Sequence, residues 1–274
     1  MSLPLVFLLD MDGTMIGDTT IQLCKYDLEN TIGIKFDSKN LQKDFKYGLL
    51  RPYFESFIKM LKTKYPLSEV FIYTAAAKKW ASLMITSIEK HLGDGMKFNR
   101  PIFSREYCIN DNGTLIKCIS KVMPHIFKKL KSKYNLQNVN DLTKQMILID
   151  NNIVIKSNDA HRFVKCPSYE YFVACNLIAD IPENKINQHL STIVSLLAKY
   201  KLLNNMSSYT DIGKFFVYYY ASLSELYKTQ ISPINKNIKD LDKFWLYMER
   251  IFRNHDIKSF NKKVVSYINK TLTK

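Results

Sequence analysis

Residues 5–14 read LVFLLDMDGT, an apolar run that ends in two aspartates separated by one residue. Five consecutive apolar residues bounded by polar ones are typical of a strand that is buried on both faces of a parallel sheet. Asp10 and Asp12 follow directly where that strand ends. Two carboxylates in this position are costly to desolvate unless a cation or hydrogen-bond donors lie between them. The stretch therefore predicts either a charged site at the end of a central strand or, more simply, a solvated turn that uses the freedom of Gly13.

Two further apolar runs have the length and composition of strands, at residues 70–73 and 146–149. Helical periodicity fills the intervals, over residues 53–65, 78–91 and 119–134. Strands that alternate with helices predict an α/β fold in which a parallel sheet is flanked by helices. Ligands of such sheets bind at the carboxyl ends of the strands, where Asp10, Thr74 and Asp150 all lie.

A turn signal, Asp111-Asn112-Gly113, interrupts the helical pattern. It lies between apolar residues around Ile102-Phe103 and Leu115-Ile116, so we expect a small β-hairpin inserted into the sheet domain. From about residue 200 onward no strand-like run appears, and aromatic-rich segments such as 215–220 predict helices. We therefore expect two domains, the sheet domain over residues 1–200 and an appended helical unit over residues 201–274.

The chain carries 40 Lys or Arg against 25 Asp or Glu among 274 residues, a formal net charge of +15. Residues 201–274 hold 13 of the basic and 6 of the acidic side chains, and residues 121–145, which we interpret as a basic insertion, hold 6 and 1. Clustered Lys and Arg favour nucleic acid or another acidic partner, because they release counterions from a polyanion. A+T-biased codons, which enrich Lys, Asn, Ile and Tyr together, would give the same composition without any binding role.

The composition also excludes several classes of protein. With 46% hydrophobic residues the chain can bury a core that does not depend on disulfide bonds or structural metals. Its five scattered cysteines form no CxxC pair, so we expect neither a disulfide framework nor a zinc knuckle. The apolar run over residues 3–9 is too short for a signal peptide, and no run reaches the roughly 18 residues of a membrane span. We expect an intracellular, soluble protein without a membrane partner, in cytoplasm or nucleus; no pattern indicates an oligomeric state.

Several short motifs follow one another along residues 1–180. They are Asp10-x-Asp12-x-Thr14, Arg51-Pro52, Tyr73-Thr74-Ala75, Arg105-Glu106-Tyr107-Cys108, Lys117 and Ile147-Leu148-Ile149-Asp150-Asn151. In this combination the sequence resembles the haloacid dehalogenase superfamily, and within it the FCP/SCP-like (NLI-interacting factor-like) phosphatases of the RNA polymerase II C-terminal domain. The resemblance implies a HAD-like, Rossmannoid sheet. The chain departs from the family pattern at Gly13, where Glu is frequent, and at Asn152, which replaces a Ser and is not followed by Pro.

The resemblance further implies phosphoryl transfer through an aspartyl phosphate. In that mechanism Asp10 is the nucleophile and Asp12 the general acid and base. Mg²⁺ would be bound by Asp10, by the backbone carbonyl of Asp12 and by Asp150, with Asn151 in contact with these ligands from outside.

The same resemblance assigns Thr74, Lys117 and Arg105 to the phosphate of the substrate. Lys121 is the competing candidate for the role of Lys117. Arg105 has the alternative of pairing with a surface acid, as exposed arginines commonly do.

The leading hypothesis is a Mg²⁺-dependent phosphatase of phosphoserine or phosphothreonine in a protein such as the RNA polymerase II C-terminal domain. A nucleic-acid end phosphatase or a small-molecule phosphatase is the alternative that the basic segments favour. A third hypothesis is a catalytically weak scaffold or binding protein on the same fold, which the intact set of acidic residues disfavours. We expect deletion of residues 201–274 to weaken partner binding more than it alters turnover of a generic substrate.

Overall fold

The computed structural model describes residues 3–35, 39–93, 95–173, 176–179, 181–203, 212–230 and 233–272. The strands in chain order are β1 (Val6–Leu9), β2 (Glu69–Ile72), β3 (Ile109–Asp111), β4 (Thr114–Ile116), β5 (Met146–Asp150) and β6 (Phe163–Lys165). The helices are α1 (Thr20–Ile32), α2 (Lys39–Asp44), α3 (Phe54–Lys64), α4 (Lys78–Leu92), α5 (Ile119–Tyr134), α6 (Glu183–Lys199), α7 (Ile212–Gln230), α8 (Pro233–Leu241), α9 (Phe244–Asn254) and α10 (Lys262–Leu272).

Four strands form a parallel sheet in the order β2-β1-β5-β6. The central strand β1 is buried along its whole length, as its unbroken apolar run predicts. Leu9 pairs with Ile72 on one side and with Ile149 on the other, so the carboxyl ends of β2, β1 and β5 meet at one edge. The predicted α/β fold with a parallel sheet flanked by helices is confirmed.

The hairpin is confirmed, but one of its strands is not where the sequence indicates. Asn112 and Gly113, both at positive φ, form the turn between β3 and β4. The expectation that Ile102-Phe103 takes part was wrong, because a tight turn pairs the residues immediately beside it. Phe103 instead forms a parallel bridge with Tyr73, at the end of β2.

The chain divides into two compact units. Unit 1 combines Met1–Gly17, Leu50–Glu170 and Asp242–Lys274, and contains the sheet. Unit 2 combines Asp18–Leu49 and Tyr171–Leu241. This division differs from a boundary at residue 200, because residues 242–274 belong with the sheet rather than with the helices that precede them.

Aromatic packing explains why the last helices belong to unit 1. Trp245 and Phe252 of α9 are completely buried. The ring of Trp245 lies 4.8 Å from that of Phe57 on α3, and the ring of Phe252 lies 5.5 Å from that of Phe7 on β1. Phe260, after α9, packs edge-on against Phe7 at 5.2 Å. Such aromatic contacts contribute beyond the burial of apolar area.

Unit 2 is built on helices α1, α6 and α7. Its core contains Ile21 and Leu28 of α1, Ile193 of α6 and Phe215 and Tyr219 of α7, all of them buried. These residues recur at helical spacing, which is why the segments form amphipathic helices.

Four of the five cysteines lie among the described residues. Cys24, Cys108, Cys118 and Cys166 are buried, whereas Cys175 lies outside the described residues. In the part of the chain that the structure describes, no helix is both long enough and apolar enough to cross a membrane.

Candidate active site

Two carboxylates lie side by side at the carboxyl edge of the sheet. Asp10 is the first residue after β1 and Asp150 is the last residue of β5, the neighbouring strand. The backbone N–H of Asp10 donates to the carbonyl of Ile149 at 3.0 Å, which continues the strand pairing up to the site. Both side chains are buried. The parallel register of β1 and β5 therefore creates the pair directly.

Lys117 lies between the two carboxylates. Its Nζ donates to Oδ1 of Asp10 at 2.5 Å and to Oδ2 of Asp150 at 2.6 Å, and the lysine side chain is 2% exposed. Its backbone is held on both sides, since its N–H donates to Val154 and its carbonyl accepts from Lys156. Lys121 has another role, because its Nζ donates to the carbonyls of Glu106 and Cys108.

The charges at this edge do not balance. Burial raises the pKa of Asp10 to about 7, although Lys117 opposes the shift, and Asp150 adds to it. Burial alone would lower the pKa of Lys117, but the two carboxylates outweigh it and raise that pKa above its ordinary value. One ammonium thus faces two buried carboxylates, an arrangement that attracts a further cation.

The loop after β1 is tied to the end of β5 by Thr14 and Asn151. The hydroxyl of Thr14 donates to Oδ2 of Asp10 at 3.4 Å and accepts from the backbone N–H of Asn151 at 3.1 Å. With the amide nitrogen of Asn151 turned toward the loop, it donates to the carbonyl of Asp12 at 2.9 Å and lies 3.2 Å from Oδ2 of Asp10. In this orientation the amide oxygen accepts from Ser168.

The remaining residues that the sequence singles out lie around this centre. Asp12 is half-buried in the loop after β1. Thr74 is buried at the end of β2, on the other side of β1, where its hydroxyl accepts from the N–H of Ala76 at 3.1 Å. Arg105 is exposed, and its Nε donates to the carbonyl of Ala75 at 2.9 Å. The structure thus joins Asp10, Lys117 and Asp150 directly, and holds Arg105 against the loop that follows Thr74.

A divalent cation fits the donors at this edge. Among the described residues no three His, Cys, Asp or Glu side chains form a cluster that could hold a metal ion by themselves. Mg²⁺ does not need such a cluster, since it is usually bound by one or two carboxylates, waters and the phosphate of a substrate. The carboxylates of Asp10 and Asp150 supply two such ligands, and their uncompensated charge favours the ion.

Sequence reasoning missed the side chains that contact the loop from the other side. Arg51 is completely buried, and its Nη1 donates to the carbonyls of Gly13 at 3.1 Å and Thr14 at 3.3 Å. The indole Nε1 of Trp245 donates to the same carbonyl of Thr14 at 3.1 Å. Arg51 stands in a motif of the sequence, but no local signal connects Trp245 with a loop 231 residues earlier.

A parallel sheet with charged side chains at its carboxyl edge is the arrangement of an α/β enzyme that binds its ligand at the strand ends. The model of the NLI interacting factor-like phosphatase family matches residues 5–198, more than half of the chain. The chain belongs to this family and is a phosphatase, a hydrolase of phosphoric monoesters. The resemblance to the FCP/SCP-like phosphatases of the haloacid dehalogenase superfamily is thereby confirmed.

Among solved structures, one similar chain is that of Fcp1, an essential RNA polymerase II CTD phosphatase, with 17% sequence identity and a TM-score of 0.38. The alignment covers 96% of this chain and 70% of that one. A comparison with curated proteins found no match.

Proposed function

We propose that the chain is a Mg²⁺-dependent phosphatase that acts through an aspartyl phosphate on phosphoserine or phosphothreonine of a protein, such as the C-terminal domain of RNA polymerase II. The observation that carries the chemistry is the buried contact of Lys117 with Asp10 and Asp150 at the end of the central strand. The substrate is inferred from membership in the NLI interacting factor-like phosphatase family and from the motifs that resemble phosphatases of the polymerase C-terminal domain.

In this proposal the metal ligands are the carboxylates of Asp10 and Asp150 and the backbone carbonyl of Asp12. Bound Mg²⁺ would supply Lewis-acid neutralisation of the negative charge on the phosphate. Asn151 holds the carbonyl of Asp12 and lies beside Oδ2 of Asp10, so it orients these ligands.

The first step is attack of a carboxylate oxygen of Asp10 on phosphorus, which forms the Asp10–phosphorus bond and breaks the bond from phosphorus to the serine or threonine oxygen. Asp12 donates a proton to the departing oxygen. Asp12 then takes a proton from a water molecule that attacks the aspartyl phosphate, which releases inorganic phosphate and restores Asp10. Lys117 neutralises charge on the carboxylates and on the phosphoryl oxygens throughout.

Thr74 and Arg105 would contact the phosphate from the side of β2. The buried hydroxyl of Thr74 lies at the strand end next to Asp10, where it would donate to a phosphoryl oxygen. Arg105 is exposed and anchored through its Nε, which leaves its terminal nitrogens as donors for the phosphate or for a neighbouring one.

The chemistry is tested with an aryl phosphate in the presence and absence of Mg²⁺. We expect Asp10→Asn to lower kcat by at least about a thousandfold, because it removes the nucleophile. Asp111→Asn, at an exposed carboxyl of β3, is the matched control and retains activity. Full activity of Asp10→Asn, or activity that chelators leave unchanged, would sink the proposed mechanism.

The substrate is tested by comparing kcat/KM for phosphoserine heptapeptides with that for 3′- and 5′-phosphorylated oligonucleotides. We expect kcat/KM to be higher for the phosphoserine heptapeptides than for the oligonucleotides. The exposed lysines of α5 favour the alternative, a nucleic-acid end phosphatase, through their phosphate affinity. A higher kcat/KM for the oligonucleotides at physiological salt would replace the peptide substrate with that alternative and leave the chemistry of Asp10 in place.

A further inference from the structure

Trp245, which lies beyond the family match that ends at residue 198, helps Arg51 to hold the loop that carries Asp12. The completely buried indole of Trp245 donates to the carbonyl of Thr14 at 3.1 Å. Arg51 donates to the carbonyls of Gly13 and Thr14 at 3.1 and 3.3 Å. Two consecutive carbonyls of the loop are therefore bound by the side chains of Arg51 and Trp245.

Asp242 fixes the arginine that makes two of these bonds. Its carboxylate accepts from Nε of Arg51 at 3.1 Å and from Nη2 at 2.8 Å, a bidentate pair. The guanidinium also lies 4.8 Å from the ring of Phe244 and 5.5 Å from that of Tyr169. Bidentate pairing and ring contacts fix the plane of a guanidinium as well as its position. The remaining donor, Nη1, is thereby aimed at the loop.

Holding these two carbonyls restricts the groups that face the reaction. Each peptide unit is planar, so a fixed carbonyl also fixes the N–H and the Cα that follow it. The hydroxyl of Thr14 donates to Oδ2 of Asp10 at 3.4 Å, and the hydroxyl oxygen accepts from the N–H of Asn151. A continuous series of contacts thus runs from Trp245 through Thr14 to the carboxylate of Asp10.

We propose that Trp245 and Asp242 are positioning residues for phosphoryl transfer, Trp245 acting on Thr14 directly and Asp242 acting through Arg51. This inference rests on the proposed function, in which Asp10 is the nucleophile. It assigns a role in catalysis to a segment, residues 242–245, that the family match does not contain.

The other end of the same helix provides a control. The hydroxyl of Tyr65, just after α3, donates toward the carbonyls of Phe252 and His255 at 2.9 and 2.5 Å. These bonds connect the end of α9 to the end of α3 and do not involve the loop that carries Asp12. If α9 merely stabilises unit 1, loss of the Tyr65 bonds and loss of the Trp245 bond will have the same effect on catalysis.

The experiment compares Trp245→Phe with two controls in the full chain. Tyr65→Phe removes hydrogen bonds of α9 far from the loop, and Phe57→Leu reduces side-chain volume in the aromatic cluster that Trp245 contacts. We expect Trp245→Phe to lower kcat for an aryl phosphate roughly tenfold with KM changed less than about twofold, because a small displacement of reacting groups acts on the transition state more than on binding. Both controls should retain kcat. Amide hydrogen exchange over residues 10–17, a readout independent of activity, should accelerate only in Trp245→Phe.

Each outcome decides the proposal. Equal kcat in Trp245→Phe and wild type overturns it, and so does an equal loss in all three variants, which would reveal a general role in stability. Faster exchange of the loop without a change in kcat also overturns it. An inactive wild-type enzyme, or an active Asp10→Asn, overturns the proposed function instead, so the two failures are distinguishable. Asp242→Asn, which keeps the shape of the side chain, should reproduce the loss of kcat in a folded protein.

Discussion

At the scale of single residues, Gly13 shows how closely the loop and the strand end approach. Its φ of +72° lies in the left-handed region, and a Cβ built on it would lie 2.5 Å from the nearest atom of the side-chain amide of Asn151 and 2.8 Å from its Cγ. A non-glycine residue would therefore have both a strained backbone and a steric clash with Asn151. A side chain larger than that of glycine therefore does not fit this loop unless Asn151 moves.

We expect Gly13→Ala to destabilise the protein by more than Gly113→Ala. Gly113 has a φ of +84° but open space around its Cβ, so its substitution measures backbone strain alone, about 1–2 kcal/mol. The free energy of unfolding in urea gives both values. In addition, Asn151→Ala should cost less in the Gly13→Ala background than in wild type, since the clash is then absent. Equal costs for the two glycine substitutions would contradict the close contact.

The residues of the site differ in how well the sequence predicts them. Asp10 and Asp150 follow from the rule that parallel strands bring their carboxyl ends to one edge. Lys117 was chosen over Lys121 through the family spacing alone, because charge and composition do not distinguish them; the structure brings Lys117 to the carboxylates. Asp242 and Trp245 could not be found, since their contacts arise from tertiary packing across nearly the whole chain.

At the scale of elements, the central strands β1, β2 and β5 and the helices α3, α4 and α5 were predicted within one or two residues, whereas α1, α2, α6 and β6 were not predicted. Buried strands have unbroken apolar runs, and α3, α4 and α5 have clear helical periodicity. Strand β6 was missed because three residues carry too little pattern. Helix α1 was missed because its apolar residues are interspersed with polar ones, and one of these, Gln22, is itself buried.

Between α1 and α2, the side-chain oxygen of Gln22 lacks a hydrogen-bond donor in the described part of the chain, and a substitution at Asp44 can supply one. Gln22 donates to Oδ2 of Asp44 at 3.0 Å, while its own Oε1 is buried without a hydrogen-bond partner among the described residues. Burial raises the pKa of Asp44 above 3.8, although Gln22 opposes the shift. The ionised carboxyl therefore costs stability at neutral pH, and an amide at this position could both accept from Gln22 and donate to it.

We expect Asp44→Asn to stabilise the protein at pH 7 by about 0.5 kcal/mol, a small value because the carboxyl is partly open to solvent. The proton binds more tightly to Asp44 in the folded state, so wild-type stability rises as pH falls through the folded pKa toward 3.8. The advantage of the variant should shrink over that range. The free energy of unfolding in urea at pH 7 and pH 4 measures this advantage. Asp44→Ala can neither accept a hydrogen bond from Gln22 nor donate one to it, so it should not be more stable than wild type. A larger advantage at pH 4 would contradict the assignment.

At the scale of the whole molecule, the compact units do not follow the order of the chain. Unit 1 is completed by residues 242–274, which the sequence groups with the preceding helices. Helical periodicity and composition identify helices, but they do not indicate which surface a helix will bury. The partner surface of α9, formed by α3 and β1, is recognisable only once the sheet has been assembled.

We expect truncation after Leu241 to abolish cooperative folding of unit 1. Trp245, Met248, Phe252 and Phe260 are all at most 1% exposed. Each such side chain contributes about 1.5–3 kcal/mol on burial, so their joint loss is of order 10 kcal/mol, comparable to the entire stability of a domain. Near-UV circular dichroism and urea unfolding measure the effect.

The matched control for this truncation is a chain that ends at Leu272, which should unfold cooperatively at the wild-type urea concentration. The sequence alone predicts that deletion of residues 201–274 weakens partner binding more than it alters turnover of a generic substrate. The packing of α9 leads to the opposite expectation for residues 242–274. A truncated protein that retains its aryl phosphatase activity would contradict the role of these residues in unit 1.

The separation of 231 residues between Thr14 and Trp245 has a consequence for the synthesis of the protein. A ribosome adds about 5–20 residues per second, so the strand that ends at Asp10 is made many seconds before the helix that covers it. Until Trp245 and Phe252 leave the exit tunnel, the aromatic surfaces of β1 and α3 that contact α9 stay uncovered. The nascent chain is therefore a natural client for chaperones, and phosphatase activity should appear only after translation has passed the last helices of unit 1.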